Sequence, residues 1–208
     1  MARVTASVRT ATRGRLLETA ATQFARHGLA GASIDAISLE AGFAKGTIYN
    51  YFPSKEALFS EVVAEGCRRA VTRYRRAAHG GSTRERLLAL ATADVAVLRE
   101  NEPFQKVVLR EALAFRPETY PQIVEHLAPF VQQIQSILAA GVETGHVRDD
   151  RPVGELALLF TGLLALLYVQ HWGSGGAWPA LDEIPGIAVT SFLDGAAARS
   201  VAQRRRPK

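Results

Sequence analysis

Between Ser33 and Lys55 the chain reads SIDAISLEAGFAKGTIYNYFPSK: two short helical stretches around a glycine, followed at once by the start of a third helix. Ile34, Ile37 and Ala41 recur at spacings of three and four and so share one face, while Ile48 with Tyr51 or Phe52 forms another. Two such faces must pack together. With Leu17, Ala20 and Phe24 of the preceding segment they make a three-helix core. Gly42 can take the positive φ that a sharp turn between helices needs. Ser38 falls where the helices cross closely and a small residue is required.

The residues left over from that core face outward on the second helix: Lys45, Gly46, Thr47, Tyr49 and Asn50. A helix held rigidly across another with such side chains outside fits the major groove of duplex DNA. Lys45 can reach guanine O6/N7 or a phosphate, and Asn50 can pair bidentately with adenine. Thr47 and Tyr49 offer hydroxyls to phosphates, and the tyrosine ring can meet a thymine methyl. Gly46 keeps the helix thin. Ser33 and Lys55 lie near helix N-termini, where backbone N–H groups favour phosphate. The expected DNA-facing set is Ser33, Ala44, Lys45, Gly46, Thr47, Tyr49, Asn50, Tyr51 and Lys55. Within it, Asn50 is expected to read sequence and Lys55 to bind phosphate.

Charge is distributed to match. Residues 1–55 carry +4, residues 56–203 carry −3, and 204–208 carry +4, within a total of +5. A basic excess around a candidate groove reader is what a polyanion-facing surface requires. For the 204–208 tail alone, a solubility role is the plainer reading.

Nearly every other segment has helical periodicity and none alternates like a strand, so the fold class is all-α with about nine helices. Residues 13–27 form a first helix that stops at Gly28. Pro53 and Ser54 end the groove-reading helix near Phe52 and cap a helix over 55–78. Ser82–Glu85 is a capping box opening a helix to about Asn101. Helices follow over 103–114 and from about Pro121 to Gly145, the latter expected to kink or break at Pro129. An apolar helix spans 153–172, and a last one, with Pro185 early in it, spans 184–201. The uncharged core of the apolar helix, 156–169, is about 14 residues, short of the roughly 20 that a membrane span needs, so burial or a subunit interface is expected instead. The N-terminus lacks the apolar region of a signal peptide.

The single cysteine, Cys67, forbids an internal disulfide, as suits a reducing cytoplasm. Its neighbours Arg68 and Arg69 could activate it as a redox sensor; its helical spacing from Phe59, Val63 and Ala70 favours a core position. There is no G-x-S-x-G, H-E-x-x-H, C-x-x-C or Walker loop, so neither an enzyme, a metal nor a cofactor is expected.

The pattern running from Ser33 through Ile37, Ala41-Gly42-Phe43, Lys45-Gly46-Thr47-Ile48-Tyr49, Tyr51-Phe52 and Ser54-Lys55 to Leu58 resembles the DNA-binding signature of TetR-family regulators. The likeness covers residues 10–60. Ser38 and Phe43 depart from it, standing where the family more often has alanine and a smaller aliphatic residue. The resemblance implies a helix-turn-helix domain at 10–56, a helical ligand-binding and dimerisation domain at 57–203, and basic tails at 1–9 and 204–208. It implies a cytoplasmic homodimer paired through 153–172 and 184–201. That dimer would repress from a near-palindromic double-stranded DNA operator and be released by a small apolar or amphipathic effector. Candidate effector contacts are Phe104, Val108, Glu111, Phe115, Tyr120, Ile123, Leu127 and Phe130, with Tyr168, His171 and Trp172 closing a far wall. Plain core packing is the alternative for each. A DNA-binding architectural protein without an effector also stays open, as does a choice between repressor and activator.

Overall fold

Leu16, Leu17, Ala20, Ala21 and Phe24 all lie on one buried stripe of the first helix, α1 (Ala6–Gly31). The structure is a computed structural model describing residues 6–77 and 80–194. Gly28 interrupts α1 with φ 68°, ψ 177°, at the point where the stripe ends. The helices α2 (Ile34–Ala41) and α3 (Lys45–Tyr49) follow, then α4 (Lys55–Ala77). After them come α5 (Thr83–Glu100), α6 (Glu102–Ala114), α7 (Tyr120–Glu143), α8 (Val153–Gly173) and α9 (Ile184–Asp194). No strand occurs among the described residues.

The helix boundaries follow from caps. Ser33 Oγ accepts the Asp35 N–H at 3.2 Å and opens α2. At the other end Gly42 adopts φ 73°, and the Gly42 and Phe43 N–H groups bond to the Leu39 and Ser38 carbonyls. Ser54 Oγ accepts the Ala57 N–H at 3.1 Å and so caps α4. Glu85 takes the Ser82 N–H at 2.8 Å, and the Ser82 hydroxyl takes the Glu85 N–H at 3.3 Å. That is the reciprocal capping box expected at α5, and the backbone N–H of Ser82 holds the Glu85 carboxyl below its ordinary pKa.

One expectation is corrected: helix α7 does not break at Pro129, which lies inside it. A mid-helix proline costs about 3 kcal/mol, but Ile123, Phe130, Ile134 and Ile137 are buried to either side, each contributing about 1.5–3 kcal/mol. The apolar helix α8, 21 residues long, matches the expected 153–172 span to within a residue and is long and apolar enough to cross a membrane by length and composition. One third of its apolar window is buried. For α9, the expected portion beyond Asp194 lies outside the described residues, as does the 204–208 tail.

The chain forms two compact units, each assembled from separated segments. The first comprises Met1–Arg75 and Ala96–Phe130. In it α1 packs on α2 and on α6, and α2 packs on α3. One continuous core runs from Leu16, Phe24, Ile37, Ile48 and Phe52 through Leu58, Phe59 and Val62 of α4 to Phe104, Val108 and Ile123. The Phe24 and Phe59 rings meet edge to face at 5.0 Å. The second unit comprises Arg76–Val95 and Val131–Lys208. There α8 packs on α9, with Phe160 against Phe192 at 5.2 Å, and the Tyr168 hydroxyl donates to Asp94 at 2.6 Å.

Candidate nucleic-acid interface

Helix α3 is only five residues long, and its single buried side chain is Ile48. Its position is therefore set by what surrounds it. Ile48 sits in the core beside Ile37, Ala41 and Phe52. Ser38, 5% exposed, returns its hydroxyl to the Ile34 and Asp35 carbonyls at 2.9 and 3.0 Å and leaves no polar bulk at the crossing. Lys45, Gly46, Tyr49 and Asn50 are exposed, and Thr47 is half-exposed. A Cβ added at Gly46 would meet nothing within 4 Å, so this flank of the helix is open. Ala44 and Asn50 flank α3 at its two ends.

Two cations differ from expectation. Lys45 is paired with Asp35 at 2.9 Å across the exposed surface. Hydrogen bonding and then the charge of Asp35 raise the pKa of that ammonium. Lys55 is half-buried, with its ammonium donating to the Ala32 carbonyl at 3.2 Å and the Ala30 carbonyl at 3.5 Å. The ammonium thus caps carbonyls at the end of α1, a contact that its expected role at phosphate does not include. Tyr51 is likewise half-buried and packs on the core, its ring 6.4 Å from that of Phe52.

In the sequence the arginines of α1 register only as charge; the structure gives them positions. The Arg9 guanidinium lies 6.0 Å from the Tyr51 ring, Arg13 lies 5.4 Å from Phe52, and Arg15 lies 5.6 Å from Phe43. Arg13 also pairs with Glu61. The i, i+4 spacing of Arg9 and Arg13 beside the Tyr51-Phe52 pair was the available signal.

The candidate effector residues divide. Phe104, Val108, Glu111, Ile123, Leu127 and Phe130 are buried or half-buried in the first unit, and Phe104, Val108 and Ile123 belong to the same core as the helix-turn-helix. Two others stand at the surface: Phe115 is 67% exposed and Tyr120 39% exposed. Phe115 ends α6 in the left-handed region at φ 51°, which turns its side chain outward onto Tyr120 at 5.6 Å. Glu111 is buried and accepts the Thr119 hydroxyl at 2.6 Å and Arg116 Nε at 3.4 Å, which holds the 115–119 turn to α6. Tyr168, His171 and Trp172 belong to the second unit. His171 Nδ1 donates to the Pro179 carbonyl at 2.9 Å. A cleft of about 390 Å³ lies between α8, α9 and the 146–148 loop, lined by Leu156, Leu159, Leu163 and Phe192 among others and by none of the eleven candidates.

Residues 16–62 match the family described as Bacterial regulatory proteins, tetR family, and residues 80–176 match the Tetracyclin repressor-like, C-terminal domain. The HTH-type transcriptional repressor KstR2 of Mycobacterium tuberculosis is 30% identical over 167 residues, 79% of this chain and 82% of that protein. This chain is a TetR-family transcriptional regulator. The regulator is also 29% identical over 188 residues to KstR2 of Rhodococcus jostii, spanning 89% of this chain and 91% of that one. Its fold is shared with the transcriptional regulator FadR of Bacillus subtilis in complex with stearoyl-CoA, at TM-score 0.72 and 19% identity, over 88% of this chain and 99% of that one. The helices α2 and α3 and the exposed face of α3 lie within the residues that match the family's N-terminal model.

Proposed function

We propose that the regulator is a cytoplasmic homodimeric repressor that occupies a near-palindromic operator and leaves it when an amphipathic effector binds. On this reading residues 10–56 read DNA, with Thr47, Tyr49 and Asn50 meeting base edges and nearby phosphates. Residues 57–203 hold the effector and the dimer interface. The observation that carries it is the exposed face of α3, held rigid by Ile48 and unobstructed at Gly46. One headpiece reads only a few base pairs, so a useful site needs two recognition helices about 34–36 Å apart.

Pairing through α8 and α9 is supported by Leu158, Leu159 and Leu166, which stand 58–61% exposed on α8. Such apolar exposure favours association. The stearoyl-CoA bound by the Bacillus subtilis relative makes long-chain acyl thioesters the first effectors to assay. To release the operator, the effector must prefer the non-binding state by about 1–3 kcal/mol or more.

The test is selection of bound duplexes from a random pool, followed by sedimentation. An inverted-repeat site bound by two chains is expected. A pool that yields no enriched sequence, or a monomer at micromolar concentration with Leu158→Glu/Leu166→Glu changing nothing, contradicts it.

A further inference from the structure

Of the two lysines that sequence alone offers to DNA, one is paired with a carboxylate and the other serves as a helix cap. The cations that remain open beside α3 are arginines of α1. Arg9 and Arg15 are exposed, and among the described residues neither has a carboxylate within ion-pair distance. Arg9 rests on Tyr51, two residues after the end of α3, and Arg15 rests on Phe43, two residues before its start. Both rings pack against the buried core. The aromatic platforms therefore hold the two guanidinium groups in fixed relation to the recognition helix.

We propose that Arg9 and Arg15 are phosphate clamps at the two ends of the recognition helix, gripping the DNA backbone on either lip of the major groove. This rests on the DNA-reading function proposed above and assigns its backbone contacts. The six residues separating the two arginines span about 9 Å of helix axis and turn them about 120° apart, so the side chains diverge. The groove between the lips is about 12 Å wide, within reach of two diverging arginines. A guanidinium presents a planar fork that matches phosphate oxygens and keeps its charge when stacked on a ring. The first turns of α1 support the same assignment: residues 6–11 are all exposed and bury nothing in the core.

The test uses the full chain and a 30-base-pair random-sequence duplex, titrated at several salt concentrations. Arg9→Ala and Arg15→Ala are each expected to weaken binding about tenfold and to lower the salt slope by about one. Arg9→Lys and Arg15→Lys should keep the slope, which a purely packing role would not predict. Arg26→Ala, an exposed arginine 17 positions beyond Arg9 on α1, removes the same charge and should leave the slope unchanged. Thermal melting of each variant separates loss of contact from loss of fold. If the wild type binds and both alanine variants keep its slope, the clamp is overturned while the regulator stands. If Arg26→Ala lowers the slope equally, the effect is bulk charge and the clamp is again overturned. A wild type that binds no duplex at low salt overturns the DNA-reading function itself.

Discussion

The Arg69 guanidinium lies 4.1 Å from the centroid of the Phe104 ring. The same group bonds Glu18 of α1 at 2.6 Å, Glu65 of α4 at 2.7 Å and Asn101 at the start of α6 at 2.8 Å. One half-buried arginine thus ties α1, α4 and α6 together over a fully buried ring. Arg69→Ala removes a partly desolvated cation–π contact and several charge-assisted hydrogen bonds, for a cost of about 2 kcal/mol. The melting temperature should fall by about 4–8 °C. Arg69→Lys should fall between, since an ammonium lacks the planar fork that spreads donors over Nε, Nη1 and Nη2 to reach three partners. A melting temperature unchanged in Arg69→Ala would show that the cluster is a surface ornament.

Gly66 sits where α4 lies close against α6. A Cβ there would lie 2.9 Å from Val108 Cγ2 and 3.3 Å from Phe104 Cβ, while the Gly66 carbonyl accepts Gln105 Nε2 at 3.0 Å. Helix propensity alone favours alanine over glycine by about 1 kcal/mol, but overpacking costs about 1–3 kcal/mol. Gly66→Ala should therefore destabilise. Gly14 is also helical, yet a Cβ there meets nothing within 4 Å. Gly14→Ala should stabilise by about 0.5–1 kcal/mol. Urea unfolding of the two variants decides the matter by sign.

The Lys55 ammonium spans 23 residues of sequence to reach the Ala32 carbonyl. Lys55→Ala is expected to cost about 1 kcal/mol in stability and to leave the salt slope of DNA binding intact, the reverse of the sequence-based expectation. Lys55→Met, which keeps the apolar stem, should lose the cap but less packing. Salt titration beside thermal melting separates the two outcomes: a slope lowered by one with an unchanged melting temperature would restore Lys55 to the phosphate contacts.

What was legible in the chain follows from the range over which each residue acts. Ser33, Gly42 and the Ser82–Glu85 box act on backbone within five residues, so the helix ends were readable from local pattern. Ile37, Ile48 and Phe24 show their faces through periodicity, and the helix-turn-helix core followed. Lys55 acts across 23 residues and Arg9 across 42, and a lysine near a helix start reads the same whether its ammonium meets solvent or carbonyls. Phe115 looked like core because it is aromatic, but a left-handed φ at a helix end carries no periodic signal. Helix α8 is apolar on every side, so the pattern could not tell Leu164, 1% exposed, from Leu166, 60% exposed.

Two buried acids make the stability of the fold fall at high pH. Burial pushes the Cys67 thiol from its ordinary 9.0 up to about 12. Burial first, and then Asp94, hold the Tyr168 hydroxyl well above its ordinary 10.0. The folded chain therefore keeps protons that the unfolded chain gives up once pH passes about 9. Stability from these groups is full below that pH and is lost as pH rises toward 12. The Cys67 share is on the order of 4 kcal/mol at most. The urea midpoint should decline from pH 8 to 11, more gently in Cys67→Ala, and more gently again when Tyr168→Phe is added. A thiol held protonated also resists iodoacetamide at neutral pH until the chain unfolds. Rapid alkylation of the native protein would mean that the core around Cys67 opens, and the two alkaline slopes would then coincide.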